Sequence, residues 1–129
     1  MRLNPDCVRD ILLSVEEICD YHNVFDYYEN NTEFNLANYS HEEIIYHIKQ
    51  CELSGLIMNV RYYDGATHIC IGDLAPSGHQ FLANIRKATV WNGVKYIAEK
   101  VGSTSLSVLT QIAANVVTEL IKAQFGLTH

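Results

Sequence analysis

The amino-acid sequence predicts an α+β fold that is mostly α-helical and contains a small antiparallel sheet. Three observations predict it: a helix-patterned segment from Ser40 to Gly55, two strand-patterned runs on either side of Asp64-Gly65, and long helical stripes at both ends of the chain. The order helix, hairpin, helix is that of a winged-helix domain. We therefore predict a winged-helix domain at residues 1–87 and a C-terminal helical extension at residues 88–129.

The composition bounds the class of protein. The chain has 129 residues, which is the length of about one domain, with 48% hydrophobic and 19% charged residues. Its apolar runs are too short and interrupted for a membrane span or a signal peptide, so we expect a cytoplasmic protein with no membrane contact. The four cysteines lack C-x-x-C spacing, which favours reduced, mostly buried thiols over a zinc site.

The first helix begins with three residues in their preferred places. Asn4 is the expected N-cap, Pro5 stands at the first helical position, and Asp6 lies beside the positive end of the helix dipole. Apolar residues recur at helical spacing from there to about Asp20, which predicts one stripe facing the core.

The segment at residues 21–39 has a weaker pattern, in which aromatic residues alternate with Asn and acidic residues. We predict a short strand around residues 33–36 as the third strand of the sheet. No full second helix is evident, because Asn and Asp are poor helix formers. Whether a shortened second helix is present stays open.

The central helix is predicted by a capping box, in which the Ser40 hydroxyl accepts the amide hydrogen of Glu43 while the Glu43 carboxylate reaches back to Ser40. Apolar residues at helical spacing define its buried face, and Gly55 ends it in the left-handed conformation. The opposite face would contact any macromolecule that this helix recognises. That face carries Glu42, Glu43, Tyr46, Lys49 and Gln50.

The hairpin register follows from the turn between the strands. A two-residue turn at Asp64-Gly65 places Tyr63 opposite Ala66. Alternate positions then form one apolar and one polar face, as a half-buried strand pair requires. The apolar face pairs Met58 with Ile71, Val60 with Ile69 and Tyr62 with Thr67, and the polar face pairs Asn59 with Cys70 and Arg61 with His68.

A further helix is predicted near Pro76, with Ser77 and Gln80 as a second capping box. Its opening run is Leu-Ala-Pro-x-Gly-His-x-Phe-Leu at residues 74–82. Together with the early run VRDILLSVEE and the run FLANIRKATVW, it resembles an uncharacterised winged-helix family of bacterial and phage genomes, catalogued only as a domain of unknown function. The resemblance covers nearly the whole chain and implies the fold and a mobile-element origin, but no activity. Ala75 stands where that pattern usually has Thr.

The C-terminal part is predicted to form two more helices. Thr89 would cap the first, and Gly102 would end it. The second carries an apolar stripe about five turns long, broader than one domain face usually needs. Two roles stay open for this stripe, docking onto the winged core and forming a homodimer interface. The candidate dimer residues are Leu109, Ile112, Val116 and Leu120.

No sequence pattern indicates catalysis or metal binding. The chain has no H-E-x-x-H, no G-x-S-x-G and no Gly-rich phosphate loop. His68 and Cys70 would share a strand face with Arg61, whose charge repels a metal ion. We therefore predict no catalytic residue, no metal site and no cofactor.

Charge separates two classes of partner. Residues 1–87 contain six Lys and Arg against thirteen Asp and Glu, a balance of −7, and residues 88–129 contain three against two. DNA binding is the usual role of a winged helix, but it requires cations that neutralise phosphate. The acidity favours an interaction protein with a protein partner, and a DNA-binding transcriptional regulator is the alternative.

The candidate contact residues follow from these patterns. For a protein partner or DNA they are Glu42, Tyr46, Lys49, Gln50, Arg61 and Tyr63. An acidic and aromatic surface is also predicted at Tyr27, Tyr28 and Glu29, because Tyr supplies contact area and carboxylates attract basic groups.

Overall fold

A computed structural model gives the fold of the chain and describes residues 1–30, 34–103 and 105–126. Within these ranges it contains five α-helices and a three-stranded antiparallel sheet, so the predicted mostly α-helical α+β class is confirmed. Strand β3 lies in the middle of the sheet, between β1 and β2. The helices are α1 (Pro5–Ile18), α2 (His41–Leu53), α3 (Pro76–Ile85), α4 (Ala88–Val101) and α5 (Leu106–Gln124), and the strands are β1 (Phe25–Tyr28), β2 (Ile57–Tyr63) and β3 (His68–Leu74).

The first two helices begin as the sequence predicts. The Asn4 side chain accepts hydrogen bonds from the backbone of Asp6 and Cys7 at the start of α1. Ser40 and Glu43 form the reciprocal capping box of α2. Both caps depend only on residues that are close along the chain.

Two other predicted caps are wrong. Helix α3 has no side-chain cap, because the residue at its N-cap is Ala75, and Ser77 lies inside the first turn, where its hydroxyl donates to the backbone carbonyl of Gly55. Helix α4 begins at Ala88, so Thr89 lies inside its first turn and makes no capping hydrogen bond. The Ser77 hydroxyl thus ties α3 to the end of α2.

The first strand lies earlier than predicted. Strand β1 covers residues 25–28 and alternates buried with exposed side chains, which is the period of a half-buried strand. The predicted strand at residues 33–36 is wrong, because Phe34–Leu36 forms a single 3₁₀ turn in which Leu36 is buried. Glu33 lies outside the described residues. The described residues between β1 and α2 contain no α-helix.

The hairpin keeps the predicted faces near its turn but not the predicted pairing. Tyr63 lies opposite His68 rather than Ala66, so the register is shifted by two residues. The connection is longer than two residues, because residues 64–66 all adopt positive φ and extend the turn. A shift by an even number leaves side chains on the same face of the sheet, and this holds from Val60 to Tyr63.

The predicted place of Met58 on the apolar face is wrong, because Asn59 adopts a positive φ that breaks the alternation. Met58 is 43% exposed and lies opposite Asp73.

One core joins the two C-terminal helices to the rest of the chain. Trp91 and Val94 of α4 and Leu109 and Ala113 of α5 are buried in the same cluster as the apolar side chains of α1, α2 and the sheet. Among the described residues, apolar contacts therefore join the predicted winged-helix domain at residues 1–87 to the predicted C-terminal extension at residues 88–129.

Hydrogen bonds and ion pairs also join α1 to α4 and to the residue Arg86 before it. Trp91 Nε1 and Lys95 Nζ both donate to Asp6 Oδ1, at 2.8 and 2.9 Å. Burial alone would raise the pKa of Asp6, but the hydrogen bonds from Lys95 and Trp91 lower it. Arg86 donates to both carboxylate oxygens of Glu16, at 3.0 and 2.6 Å, and lowers the pKa of that carboxyl. Helix α4 and the residues before it are thus held against α1.

Candidate interaction surface

The sheet has an inner and an outer face. The inner face packs on the helices through apolar side chains such as Ile69 and Ile71, which are fully buried. The antiparallel pairing places two cross-strand rows on the outer face. The first row is Tyr28, His68 and Tyr63, and the second is Asp26, Cys70 and Arg61.

Three rings stack across the first row. The His68 ring centroid lies 4.3 Å from that of Tyr28 and 5.0 Å from that of Tyr63, with interplanar angles of 15° and 27°. Tyr28 is 45% exposed and Tyr63 is 41% exposed. Directly opposed positions on neighbouring strands lie close enough for such contacts. The row therefore presents a supported aromatic surface, which we call the aromatic row.

Carboxylates surround the aromatic row. Asp26 Oδ1 lies 2.9 Å from His68 Nε2, and Glu29 Oε1 lies 3.5 Å from His41 Nε2. Asp64 stands at the hairpin turn. A shallow depression at this end of the sheet holds two carboxylates, and its described lining includes no Lys or Arg. It is lined by Tyr28, Glu29, Asn30, Asp64, Thr67 and His68.

The second row contains a thiol and a cation. Cys70 lies between Asp26 of β1 and Arg61 of β2. Burial raises the pKa of Cys70, and the neighbouring Asp26 carboxylate raises it further, so the thiol stays protonated and is a poor nucleophile. Arg61 is exposed and is the one Lys or Arg in the three strands, all of which the structure describes.

Tyr27 belongs to the core and not to the surface, so its place in the predicted acidic and aromatic surface is wrong. Its side chain is buried, and its hydroxyl lies 2.6 Å from His41 Nδ1. The two rings also stack, with centroids 5.6 Å apart. Side chains alternate along a strand, so an inward Tyr27 leaves Tyr28 on the outer face. Tyr28 and Glu29 are exposed.

The outer face of α2 carries one cation, and that cation is paired. Lys49 Nζ lies 3.4 Å from Glu52 Oε1 and 5.2 Å from the centre of the Tyr62 ring. The Tyr62 hydroxyl donates to the same Glu52 oxygen at 2.8 Å. Because Tyr62 extends from the inner side of β2, α2 lies on the side of the sheet away from the aromatic row.

The six predicted contact residues therefore fall on two separate surfaces. The α2 surface is acidic at its N-terminal end, and its single lysine is paired. The outer sheet face is aromatic with acidic edges. Glu42, Tyr46, Lys49 and Gln50 lie on α2, and Arg61 and Tyr63 lie on the outer sheet face.

The four candidate dimer residues differ in burial. Leu109 is fully buried by its own chain, so its assignment to an interface between two copies is wrong. Ile112 and Val116 are half-buried, and Leu120 is 51% exposed. The first half of α5 is thus docked on the core, and the second half leaves apolar side chains uncovered.

His68 and Asp26 are the site residues that the sequence did not indicate. The predicted register places His68 opposite Arg61, which separates it from the ring of Tyr63. Asp26 lies outside any predicted strand. A four-residue turn at residues 64–67 would have placed Tyr63 and His68 opposite each other, but no residue type in the sequence indicates that turn.

A buried histidine has a structural role. His47 Nε2 accepts a hydrogen bond from the backbone N–H of Asn4 at 2.7 Å, so the proton sits on Nδ1, which donates to the Glu43 carbonyl at 2.7 Å. The Nε2 contact holds α2 against the start of α1, and the Nδ1 contact fixes the ring orientation within α2. Among the residues that the structure describes, no group of three or more His, Cys, Asp or Glu side chains is placed to hold a metal ion.

Comparisons with known proteins relate the chain to proteins of unknown function. A family model described as "Hypothetical protein (DUF2513)" matches residues 2–105. The chain is also similar to an uncharacterized protein of Haemophilus influenzae, with 28% identity over 123 residues that make up 94% of this chain and 99% of that protein. No solved structure matches the chain. The predicted membership of a family of unknown function is confirmed.

Proposed function

The chain belongs to the DUF2513 family, and we propose that it is a non-catalytic interaction protein that binds a protein partner through the outer face of its sheet. One observation carries the proposal, namely the exposed stack of Tyr28, His68 and Tyr63 with carboxylates on its borders. The partner that fits this surface presents Arg or Lys side chains.

The stacked rings favour binding because they are held in place before a partner arrives. His68 contacts a ring on each side and lies 2.9 Å from the Asp26 carboxylate. Rings that are already ordered lose little conformational entropy on association. A guanidinium or ammonium group over the face of a Tyr ring is attracted by the ring quadrupole. The aromatic row therefore suits a cationic side chain.

The surrounding charge selects the same kind of partner. Asp26, Glu29 and Asp64 border the aromatic row, and the whole chain has a formal net charge of −6. A carboxylate border attracts a basic segment over several ångströms and repels an acidic one. The binding would weaken as salt is added, because exposed charges are screened.

The order of the elements supports a winged-helix scaffold for this surface. Helix α1, strand β1, helix α2 and the β2–β3 hairpin follow one another as in such a domain, with β3 central in the sheet, although the described residues between β1 and α2 contain no further α-helix. A helix-turn-helix protein usually reads DNA with the N-terminal residues of its second helix. In α2 that end carries Glu42 and Glu43, and Lys49 is paired with Glu52, so phosphate contacts have little support.

The thiols give catalysis no support. Burial raises the pKa of Cys7 to about 12 and that of Cys19 to about 11. The pKa of Cys70, the thiol on the outer sheet face, is also raised by burial. A nucleophilic cysteine needs a lowered pKa, so none of these three thiols supports a mechanism with a cysteine nucleophile.

A binding titration with a defined probe tests the proposal. A fluorescein-labelled peptide of alternating Arg and Gly is titrated with the parent and with a Tyr28→Ala/Tyr63→Ala double variant, and binding is followed by fluorescence anisotropy. We expect the double variant to bind about 10-fold more weakly, as for the loss of aromatic anchors at an interface. Tyr96→Ala is the matched control, because Tyr96 is an exposed tyrosine of α4 outside the sheet.

The same three proteins, immobilised, can then be exposed to a lysate of the native host. A natural partner should be retained by the parent and by Tyr96→Ala and lost with the double variant. Equal peptide binding by all three proteins would contradict the proposal. Salt-sensitive binding of random duplex DNA that is lost on Arg61→Ala would favour the DNA-binding regulator instead.

A further inference from the structure

A second depression lies on the sheet, farther from the hairpin turn than the aromatic row. It is bounded by strands β2 and β3 and by the connection from α1 to β1, and it has a volume of about 470 Å³. The strands contribute Asn59, Arg61 and Gly72 to its lining, and the connection contributes Asp20 and His22. Most of these side chains are polar, so the depression suits a polar ligand.

Arg61 supplies an unpaired positive charge to this depression. Its side chain is exposed and makes no hydrogen bond or ion pair with any residue that the structure describes. By contrast, Lys49, Arg86 and Lys95 each pair with a carboxylate. A guanidinium carries five N–H donors in a planar fork that matches the two oxygens of a carboxylate. The donors of Arg61 are therefore available to a ligand.

Asn59 supplies further donors from the same strand. It lies two residues before Arg61 in β2, and its exposed side chain makes no hydrogen bond within the described parts of the chain. Its carboxamide therefore has two N–H donors without an acceptor. The Asn59 backbone has a φ of 56°, in the left-handed region that residues with a side chain rarely adopt. Strained residues of this kind are concentrated at binding sites.

Gly72 makes room for the Asn59 side chain. A Cβ atom at Gly72 would lie 2.7 Å from the Cβ of Asn59 and 3.3 Å from its carboxamide nitrogen. A larger residue at this position would therefore displace Asn59. The Gly72 backbone does not adopt a positive φ, so the close approach of Asn59 is the reason for a glycine here. Both strands thus contribute to the position of the Asn59 carboxamide.

Asp20 also lines the depression, but its carboxylate is bound within its own turn. It accepts hydrogen bonds from the Asn23 side chain at 2.9 Å and from the backbone N–H groups of His22 and Asn23, both at 2.8 Å. The hydrogen bond from the Asn23 side chain and those from the backbone lower the pKa of Asp20. Asp20 therefore stays ionised at neutral pH and orders the turn before β1, while Arg61 makes no ion pair with it.

We propose that Asn59 and Arg61 form a carboxylate site, which receives an Asp or Glu side chain of the protein partner. The inference rests on the proposed function, because it concerns the same partner and the same sheet. Arg61 and Tyr63 are two residues apart in β2, so about 7 Å separates the carboxylate site from the aromatic row. Alternate side chains of an extended segment have the same spacing. The partner that fits both sites therefore carries a basic and an acidic residue two positions apart.

The surrounding charge favours a carboxylate over a phosphate at this site. Asp20 lines the depression, Asp26 lies in the same cross-strand row as Arg61, and residues 1–87 have a balance of −7. A phosphorylated side chain carries a charge of about −1.5 to −2 at neutral pH, so these carboxylates repel it more strongly than they repel a single carboxylate. One negative charge matches the one guanidinium of the site.

Peptide binding to the full chain tests the proposal. Two fluorescein-labelled peptides, Arg-Gly-Glu-Gly-Arg and Arg-Gly-Gln-Gly-Arg, are titrated with the protein and followed by fluorescence anisotropy. We expect the Glu peptide to bind the parent about 3-fold more tightly. Net charge alone predicts the opposite, because the chain has a formal net charge of −6. Arg61→Gln should reverse the preference, and the matched control Arg2→Gln should keep it, because Arg2 is an exposed arginine outside the sheet.

A second variant tests the carboxamide separately. Asn59→Gly removes the side-chain donors and still permits the positive φ, so it should fold and show a smaller preference for the Glu peptide. A parent that binds both peptides equally, or an Arg61→Gln variant that still prefers the Glu peptide, would overturn the proposal. Tighter binding of the same peptide with phosphoserine in place of Glu would assign the depression to phosphate instead.

Failure of the proposed function can be told apart from failure of the carboxylate site. If neither peptide binds, the partner-binding role of the sheet is refuted, and a titration with sodium acetate at constant ionic strength decides the carboxylate site alone. Nuclear magnetic resonance would follow the Nε–H signal of Arg61 and the side-chain amide signals of Asn59. Saturable shifts of the Asn59 signals that are lost in Arg61→Gln would support the site, and signals that do not shift would overturn it.

Discussion

Replacing Gly78 with Ala should destabilise the fold, although it exchanges a poor helix former for the best one. Gly78 lies in the first turn of α3 and packs directly on the backbone carbonyl of Leu56. A methyl group at Gly78 would overlap that carbonyl oxygen and lie 3.0 Å from the carbonyl carbon. The carbonyl has little room to move, because Leu56 is buried and its oxygen accepts a hydrogen bond from the Ala75 N–H at 2.9 Å.

The size of the effect follows from three contributions. Helix propensity favours Ala over Gly by about 0.5–1 kcal/mol. Overpacking against backbone costs about 1–3 kcal/mol, and weakening the hydrogen bond between Ala75 and Leu56 costs about 1 kcal/mol more. We therefore expect Gly78→Ala to lower the free energy of unfolding by about 2 kcal/mol, which corresponds to about 7 °C in Tm for a domain of this length.

Gly93→Ala is the matched control, and its expected sign is opposite. Gly93 lies inside α4, and a methyl group there would meet nothing within 4 Å. This variant should raise the free energy of unfolding by about 0.5–1 kcal/mol. Urea unfolding followed by far-ultraviolet circular dichroism measures both variants. If Gly78→Ala is as stable as the parent, or if both variants shift stability in the same direction, the close packing of α3 on Leu56 is refuted.

Two further predictions concern helix caps and ion pairs. Ser40→Ala should lower the free energy of unfolding by about 1 kcal/mol in urea titrations, whereas Thr89→Ala should change it by less than about 0.5 kcal/mol. Folding lowers the pKa values of Asp6 and Glu16, so the stability that they contribute is complete above about pH 5 and is lost as the pH falls through the folded pKa values. Thermal unfolding at a series of acidic pH values should show this loss as a falling Tm. Asp6→Asn should make Tm depend less steeply on pH. A Tm that rises on acidification would contradict the lowered pKa values of Asp6 and Glu16.

The helix boundaries were predictable where neighbouring residues decide them. Asn4 and Ser40 cap their helices through amides two or three positions away. Gly55 and Gly102 adopt the left-handed φ values of 73° and 74° that end α2 and α4. Thr89 shows the limit of such patterns, because a capping residue type near a helix start is not always the residue at the cap.

The strand pairing was not predictable in the same way. The turn extends to Ala66, whose φ of 69° is unfavourable for a residue with a side chain, and no residue type signals it. Strand β1 pairs Phe25 with Ile71, which lie far apart in the sequence. The pairing of a strand depends on how distant parts of the chain pack in the core, and short-range sequence patterns carry no information about that packing.

The candidate site depends on that pairing. The sequence indicates Tyr28 and Tyr63 as surface residues, because both lie in acidic or polar surroundings. Their stack with His68 exists only when β1, β3 and β2 come into register. The same pairing turns Tyr27 into the core, where its hydroxyl meets His41.

By itself the sequence determined the class of the fold, two helix starts, two glycine stops and the acidic character of the larger part of the chain, because each is a property of residue type and short spacing. Only the tertiary structure decided that His68 joins Tyr28 to Tyr63 and that α5 is docked over half its length. Both outcomes depend on which surfaces remain after the core is filled, and that is a property of the whole chain.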